Sequence, residues 1–144
     1  MIAATLTRAG YAVRQADNGR NGILLALAQK PDLILCDVHM PEMDGYRTLA
    51  AIRECHSTAA IPFILMNGSI GRDEFRRGMV CGADDYLMKP FTCRELLGAV
   101  KSRLERQADV QTRAFQQIGL QPSESMTAFS AESDPVSADF AVAV

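Results

Sequence analysis

The stretch from Asp32 to Gly45, DLILCDVHMPEMDG, constrains the fold of this chain more than any other. It opens with a short apolar run, residues 33–36, that shows no alternation and ends at a carboxylate, Asp37. An apolar run of this kind, bounded by turn residues, predicts a strand buried on both faces of a parallel sheet. Ligands bind at the carboxyl edge of open α/β sheets, so Asp37 is a candidate site residue. The alternative is that Asp37 only caps the turn that follows it.

Helix and strand patterns alternate along residues 1–106. The predicted order is a helix over 1–9, a strand over 11–13, a helix at 23–28, the strand 33–37, a helix at 46–53, a strand over 61–66, a helix over 72–81, a strand over 85–88 and a helix over 92–104. In the helix over 72–81, Phe75 and Met79 are expected to face inward. This alternation predicts an α/β domain with a doubly wound parallel sheet.

Residues 107–144 differ in composition from the rest of the chain. The first part, 107–117, extends the last helical pattern, whereas residues from Ser123 onward are rich in Ser, Ala and Asp. This composition predicts a mostly disordered acidic tail. The closing residues, 140–144, are apolar enough to act as a weak docking peptide, but a solvated tail is the preferred prediction.

Charge and composition exclude several functions. Residues 1–106 carry 14 Lys and Arg against 12 Asp and Glu, and residues 107–144 carry one against five, which argues against nucleic-acid binding. The chain shows no signal peptide and no apolar run near the length of about 18 residues that a membrane helix needs. The cysteines lack metal-ligand spacing and indicate reduced thiols in a cytoplasmic protein. They are Cys36, Cys55, Cys81 and Cys93.

Three of the predicted strands end in polar groups. These groups are Asp37, the sequence Asn67-Gly68-Ser69, and Lys89. The carboxyl ends of parallel strands meet at one edge, so we expect these groups to converge there. The set suits a phosphoryl group held on Asp37, with Lys89 neutralising one of its oxygens. The Asn67 amide and the backbone N–H groups of Gly68 and Ser69 would donate to others, and a divalent cation would bridge the rest.

Four segments in order, DLILCDVHMPEMDGY, IPFILMNG, GADDYLMKPF and TCRELL, resemble the receiver domain of two-component response regulators over residues 1 to about 106. The resemblance implies a flavodoxin-like fold and a phosphoacceptor signalling domain, not an enzyme. A histidine kinase or a phosphotransfer protein would donate the phosphoryl group. Because no effector pattern follows residue 106, output would pass through a protein partner or a homodimer.

The resemblance also assigns roles to individual residues. Asp37 matches the phosphoacceptor, and Lys89 matches the active-site lysine, whose bond to Pro90 is cis in the family. Asp37 and the backbone carbonyl of His39 would contact Mg²⁺. Tyr86 occupies the aromatic switch position, whose rotamer reports phosphorylation. The alternatives are that Tyr86 is an ordinary half-buried strand residue and Lys89 an ordinary surface lysine.

Two departures from the family pattern stand out. Receivers open with a strand that ends in a pair of acids, whereas Met1 here falls inside the first predicted helix, so the domain is expected to be incomplete at its N-terminus. Residues 11–13 would then pair directly with residues 33–37, or an open slot would separate them. A single Asp37 with one carbonyl makes a poor magnesium site. The second departure is Asn67, where the family has Thr or Ser.

Three functional hypotheses follow. The first is a phosphoacceptor domain, and the second is a degenerate receiver that binds partners without being phosphorylated. The absence of the acid pair favours the second, for which no Asp37-dependent phosphoprotein is expected. The third, a doubly wound enzyme, is disfavoured because the chain lacks G-x-G-x-x-G, P-loop and G-x-S-x-G motifs.

A basic face is expected to bind partners and to include Arg72, Arg76, Arg77, Tyr86, Arg94, Lys101 and Arg103.

Overall fold

The computed structural model describes residues 1–68, 71–119 and 139–143. Within them, helices and strands alternate until the last helix. The helices are α1 (Ile2–Arg8), α2 (Gly19–Gln29), α3 (Gly45–Glu54), α4 (Arg72–Val80) and α5 (Cys93–Gln117). The strands are β1 (Ala12–Ala16), β2 (Leu33–Asp37), β3 (Phe63–Asn67), β4 (Asp85–Met88) and β5 (Asp139–Ala143). None of the described helices combines the length and the apolar character needed to cross a membrane.

All described strands belong to one parallel sheet in the spatial order β1-β5-β2-β3-β4. Helices cover both faces, which confirms the predicted doubly wound, flavodoxin-like α/β fold. The strand that lies between β1 and β2 comes from the C-terminal part of the chain. The remaining four strands follow one another in chain order across the sheet.

The run Leu33 to Cys36 is buried on both faces, as its unbroken apolar sequence predicts. Leu33 and Leu35 pack with Leu6 of α1 and with Leu96 and Val100 of α5. Ile34 and Cys36 face the opposite side and pack with Ala26 of α2 and with Leu49 and Ile52 of α3. Successive side chains of β2 therefore point alternately into the two hydrophobic cores.

Side-chain caps fix where three helices begin. The side chain of Asn18 accepts a hydrogen bond from the Asn21 N–H at the start of α2, and Asp44 accepts one from Arg47 at the start of α3. Thr92 and Glu95 form the capping box predicted for α5. Asp44 matters most for the site, because its cap sets the direction in which α3 leaves the loop after Asp37.

The expectations for the first strand position and for the tail need correction. Residues 11–13 were expected to pair with β2 or to border an open slot, but β5 fills this position and pairs with both β1 and β2. The prediction of a solvated tail is therefore wrong for residues 139–143, and the docking alternative holds there. The rest of the predicted tail, residues 120–138, lies outside the described residues, as does Ser69.

The expected inner face of α4 is also wrong. Phe75 and Met79 are each 46% exposed, and the buried residue of this helix is Gly78. A Cβ built on Gly78 would stand 2.9 Å from the Tyr86 ring and 3.2 Å from Leu65. α4 lies so close to β3 and β4 that only a glycine fits at the contact, and the larger apolar side chains of Phe75 and Met79 stay partly exposed at its margin.

Candidate functional site

Three adjacent strands bring the predicted polar groups to one edge of the sheet. β2 ends at Asp37 and β3 ends at Asn67, while Lys89 follows directly after β4. The register aligns these ends, since Asp37 lies opposite Met66, and Asn67 lies opposite Met88. The Lys89 N–H also donates to the Asn67 carbonyl oxygen at 2.7 Å, which continues the β3–β4 pairing past the end of the strand.

Asp37 and Lys89 form an ion pair at this edge. Lys89 Nζ donates to Asp37 Oδ2, and the His39 backbone N–H donates to Asp37 Oδ1 at 3.2 Å. The Asp37 side chain is 18% exposed and that of Lys89 is 39% exposed, so the pair is sheltered but open to a reactant. The Lys89–Pro90 peptide bond is cis, as the family resemblance implies.

The loop after Asp37 requires a glycine at position 45. A Cβ built on Gly45 would stand 2.5 Å from the Asp37 carbonyl oxygen and 2.9 Å from Val38 Cα. The Gly45 N–H donates to the Val38 carbonyl oxygen at 2.9 Å. The N-terminus of α3 is thereby held directly against the end of β2, which fixes the backbone that carries Asp37.

Asn67 is fully buried and belongs to a hydrogen-bond network that reaches α3 and α4. Its Nδ2 donates to Glu74 Oε2 at 2.9 Å and to the Tyr86 hydroxyl at 3.3 Å. The Tyr86 hydroxyl also shares a hydrogen bond with that of Tyr46 at 2.9 Å, and the Tyr46 hydroxyl lies 3.1 Å from the Glu74 carbonyl oxygen. Tyr86, the predicted switch residue, is therefore hydrogen-bonded to Asn67, the predicted phosphate-binding amide.

Two ring contacts from residues of α4 cover the hydrogen-bond network around Asn67. The Tyr46 ring lies 4.7 Å below the Arg77 guanidinium, and the Tyr86 ring lies 5.8 Å from that of Phe75. Burial, followed by the bond to Tyr86, raises the pKa of the Tyr46 hydroxyl well above its ordinary value. The Tyr46 hydroxyl is thus a neutral donor and acceptor near neutral pH.

Cys36 immediately precedes Asp37 but does not provide a nucleophile. Burial, with a smaller effect of the neighbouring Asp37 carboxylate, raises the pKa of the Cys36 thiol to about 12. Its Sγ lies 3.4 Å from the Asp37 carbonyl oxygen. Because the thiolate is the reactive form, this cysteine acts as a core residue.

The magnesium ligands predicted for this edge are Asp37 and the His39 carbonyl. Both carboxylate oxygens of Asp37 are engaged, by Lys89 and by the His39 N–H. In the described part of the chain, three His, Cys, Asp or Glu side chains do not come together anywhere in an arrangement that could hold a metal. Magnesium prefers near-octahedral oxygen coordination that includes one or two carboxylates. Asp37, with both oxygens engaged, and one backbone carbonyl supply few of these ligands, so the described residues offer a poor magnesium site.

The structure brings Asp37, Asn67, Lys89 and Tyr86 together, and places Gly68 exposed at the end of β3. Sequence reasoning missed Tyr46 and Glu74, which complete the network around Asn67. Tyr46 could have been found, because it follows the α3 cap on a helix face that must be buried, and a buried tyrosine hydroxyl needs a partner. Glu74 gave no such signal, since an acid in the first turn of a helix is usually solvated.

Comparison with known proteins identifies a family and several relatives of this chain. The family model described as the response regulator receiver domain matches residues 1–101. The RpaA transcriptional regulator of Synechocystis, described as DNA-binding, is 39% identical over 107 residues, which are 74% of this chain and 44% of that protein. The transcriptional regulatory protein CusR of Escherichia coli is 41% identical over 106 residues, 73% of this chain and 45% of that protein. The chain thus spans less than half the length of these relatives, and their names lend no support to the predicted absence of nucleic-acid binding.

Solved structures show the same similarity. A crystal structure of a response regulator from Chloroflexus aurantiacus is 33% identical with a TM-score of 0.70, over 73% of this chain and 86% of that chain. The receiver domain of a sensor histidine kinase from Pseudomonas aeruginosa is 29% identical with a TM-score of 0.67, over 72% of this chain and 85% of that chain. In that receiver domain, a magnesium ion is coordinated in the active site cleft.

Proposed function

The chain belongs to the response regulator receiver family, and from this premise we propose that it acts in two-component signalling with Asp37 as its phosphoryl acceptor. The observation that carries the proposal is the Asp37–Lys89 pair at the carboxyl edge of the sheet. A carboxylate nucleophile and a fixed cation within contact distance of one another are two of the elements that phosphoryl transfer uses, beside a bound metal ion. The donor would be a phosphorylated histidine on a kinase or on a phosphotransfer protein.

The chemistry assigned to these residues is simple. An Asp37 carboxylate oxygen would attack phosphorus, the bond from phosphorus to the donor's imidazole nitrogen would break, and the imidazole would leave with that electron pair. Lys89, already beside Asp37, would stay against the transferring group and offset its negative charge. Asn67 Nδ2 would have to turn from Glu74 to donate to a phosphoryl oxygen, which links acceptance to the Tyr86 network.

A second candidate function, partner binding without phosphorylation, is favoured by one observation. Among the described residues, no three His, Cys, Asp or Glu side chains come together to hold a cation, so the electrostatic contribution of a bound cation is not assembled by them. Loss of one such stabilising group typically costs about 10² to 10³ in rate. We therefore expect phosphorylation of this chain to be slow, and at the detection limit in short incubations.

Mass spectrometry of the intact chain after incubation with acetyl phosphate, with and without Mg²⁺, separates the two functions. We expect a slowly growing phosphorylated species that Asp37→Asn removes and Lys89→Ala strongly reduces. The control is Lys101→Ala, since Lys101 is exposed on α5 and faces Glu105 rather than Asp37. Absence of any Asp37-dependent species after long incubation would support the second function and overturn the first.

Exposed arginines on α4 form the face through which either function would reach a partner. Arg72, Arg76 and Arg77 are exposed there, and Arg94 is exposed on α5. Surface charge of this kind sets association rate and salt dependence more than affinity. Arg76→Glu with Arg94→Glu is expected to slow association with the cognate kinase or output protein and to flatten its salt dependence. Unchanged kinetics would place the interface elsewhere.

A further inference from the structure

We propose that Glu74 is a positioning residue that restrains phosphoryl acceptance, because its carboxylate occupies the Asn67 side-chain amide that a phosphoryl group on Asp37 would need. The inference rests on the proposed function, since it concerns the group that Asp37 would accept. It gives a role to a residue of α4 that lies outside the expected phosphate-binding and switch positions.

Glu74 belongs to a closed ring of four hydrogen bonds. Asn67 Nδ2 donates to Glu74 Oε2 at 2.9 Å, and the Tyr46 hydroxyl donates to the Glu74 backbone carbonyl oxygen at 3.1 Å. The Tyr46 and Tyr86 hydroxyls lie 2.9 Å apart, and Asn67 Nδ2 donates to the Tyr86 hydroxyl at 3.3 Å. Glu74 therefore holds two members of the ring, Asn67 through its side chain and Tyr46 through its backbone.

The chemistry of these groups fixes the direction of every bond in the ring. A carboxylate only accepts, so the nitrogen of the Asn67 amide faces Glu74. Tyr46 gives its single hydroxyl proton to the Glu74 carbonyl, so the Tyr86 hydroxyl must donate to Tyr46. The Tyr86 oxygen then accepts the second amide proton. Both side-chain N–H groups of Asn67 are thereby engaged before a phosphoryl group arrives.

Burial makes this engagement costly to break. Asn67 is fully buried, so water does not readily replace a lost partner. A hydrogen bond to a carboxylate is roughly twice as strong as one between neutral groups, which makes Glu74 the stronger of the two acceptors. A phosphoryl oxygen could recruit the amide only by displacing one of them. Removal of Glu74 would leave a buried donor that an arriving phosphoryl oxygen could satisfy.

The neighbouring acid, Asp73, provides a matched control. Asp73 and Glu74 both lie in the first turn of α4, where acids are commonly solvated or reach back to the cap. Asp73 is exposed and lines a surface cavity with Arg72 and Arg76, whereas Glu74 is half-buried against Asn67. Substitution of either acid removes the same charge from the same turn, but only one substitution opens the ring.

Exchange of the Asn67 side-chain amide protons with water tests the restraint without phosphorylation. We expect this exchange to be at least about tenfold faster in Glu74→Ala than in Asp73→Ala, measured by nuclear magnetic resonance of the full chain with isotope-labelled asparagine. Backbone amides of β3 should exchange alike in the two variants, which would show that the sheet stays intact. Equal exchange of the Asn67 side chain would overturn the proposal.

Phosphorylation rates test the consequence of the restraint. Initial rates with acetyl phosphate and Mg²⁺ should be at least about tenfold higher in Glu74→Ala than in Asp73→Ala. In an Asn67→Ala background the two variants should be labelled at the same rate, because Glu74 acts through the amide. A difference that persists in this background would show that the charge of Glu74 acts directly on the phosphoryl donor, and it would overturn the proposal.

The failure of this proposal and the failure of the proposed function give different results. Asp37-dependent labelling at equal rates in Glu74→Ala and Asp73→Ala would keep the proposed function and overturn the role of Glu74. Absence of labelling in every variant would overturn the proposed function, and exchange of the Asn67 amide would then decide the restraint by itself.

A conservative pair replaces the alanine variants if Glu74→Ala does not fold. Glu74→Gln keeps the shape of the side chain, and Asp73→Asn is its matched control. The amide oxygen of glutamine accepts more weakly than a carboxylate, so both the exchange and the labelling should be at least about threefold faster in Glu74→Gln than in Asp73→Asn. Equal values in this pair would overturn the proposal.

Discussion

β2, β3 and β4 bring Asp37, Asn67 and Lys89 together through neighbouring chain segments, whereas the other side of Asp37 is completed by β5, which comes from the far end of the chain. On the first side the strands β2 and β3 are buried along almost their whole length. On the second side β1 is the edge strand, and Ala12, Arg14 and Gln15 are exposed. The edge strand of the first side, β4, is also only partly buried, so the two sides differ in chain connection rather than in burial.

This difference separates two parts of the site. Asp37, Lys89 and the buried Asn67 amide are held by the side that local strand–helix units build. The strand that completes the other side, β5, ends in Val142 and Ala143, which carry no carboxylate. The Asp37–Lys89 pair thus forms without a cluster of metal-ligating side chains among the described residues.

The largest expected effect comes from the buried core of β2. Leu35 is fully buried against α1 and α5, so Leu35→Ala should lower the free energy of unfolding by about 2–5 kcal/mol. Val13 of β1 is only half-buried, and Val13→Ala should cost about 1 kcal/mol or less. Urea unfolding of both variants measures the contrast. Equal losses would mean that β1 is as tightly packed as β2.

Arg53 of α3 and Arg14 of β1 give a second comparison between the two sides of the sheet. Its guanidinium donates to the carbonyl oxygens of Ala59, Ile61 and Gly82 and pairs with Asp84 at 2.8 Å. Three carbonyls and a carboxylate need the planar fork of arginine, so Arg53→Lys should destabilise by about 1.5–3 kcal/mol. Arg14→Lys on exposed β1 should change stability by less than about 0.5 kcal/mol. Thermal melts of the two variants decide this, and similar melting temperatures would contradict it.

Local sequence signals predicted the strands β2, β3 and β4 and the polar residues at their ends. Apolar runs that end in Asp37 and Asn67, and the Lys89-Pro90 peptide after β4, mark strand ends without knowledge of tertiary contacts. The β5 pairing could not be preferred in the same way, since it joins residues more than 100 positions apart and follows a polar segment. The inward face of α4 was misjudged because large side chains dominate a helical pattern, whereas the contact is made by Gly78 against Tyr86.

The tyrosine pair tests whether the network above Asn67 is coupled. Tyr46→Phe and Tyr86→Phe each remove one hydroxyl from the 2.9 Å bond, and the double variant removes both. A double-mutant cycle should give a coupling free energy of about 1 kcal/mol, because each single substitution already removes the bond between the two hydroxyls and the second cannot remove it again. Additive effects would show that this bond contributes nothing beyond the bonds of the two hydroxyls to Glu74 and Asn67.

The smallest expected effect concerns the cap of α5. Hydrogen bonds from the Thr92 backbone and side chain lower the pKa of Glu95 from its ordinary value of 4.5. A lowered pKa in the folded state means that the cap stabilises above pH 4.5 and that this contribution is lost as pH falls through the folded pKa. Glu95→Gln should therefore lose part of the acid dependence of stability. Identical acid unfolding curves for the variant and the parent would contradict this.

Hydrogen exchange along the full-length chain tests the contrast between the two sides most directly. Amides of β2 and β3 should exchange slowest, through global unfolding, and amides of residues 140–143 should be protected but open at lower free energy. Ala141→Pro, which removes one donor from β5, should lower protection of residues 12–16 far more than that of β3. Exchange of residues 140–143 at the rate of an unstructured peptide would contradict the account, because the sheet would then not be completed by the end of the chain.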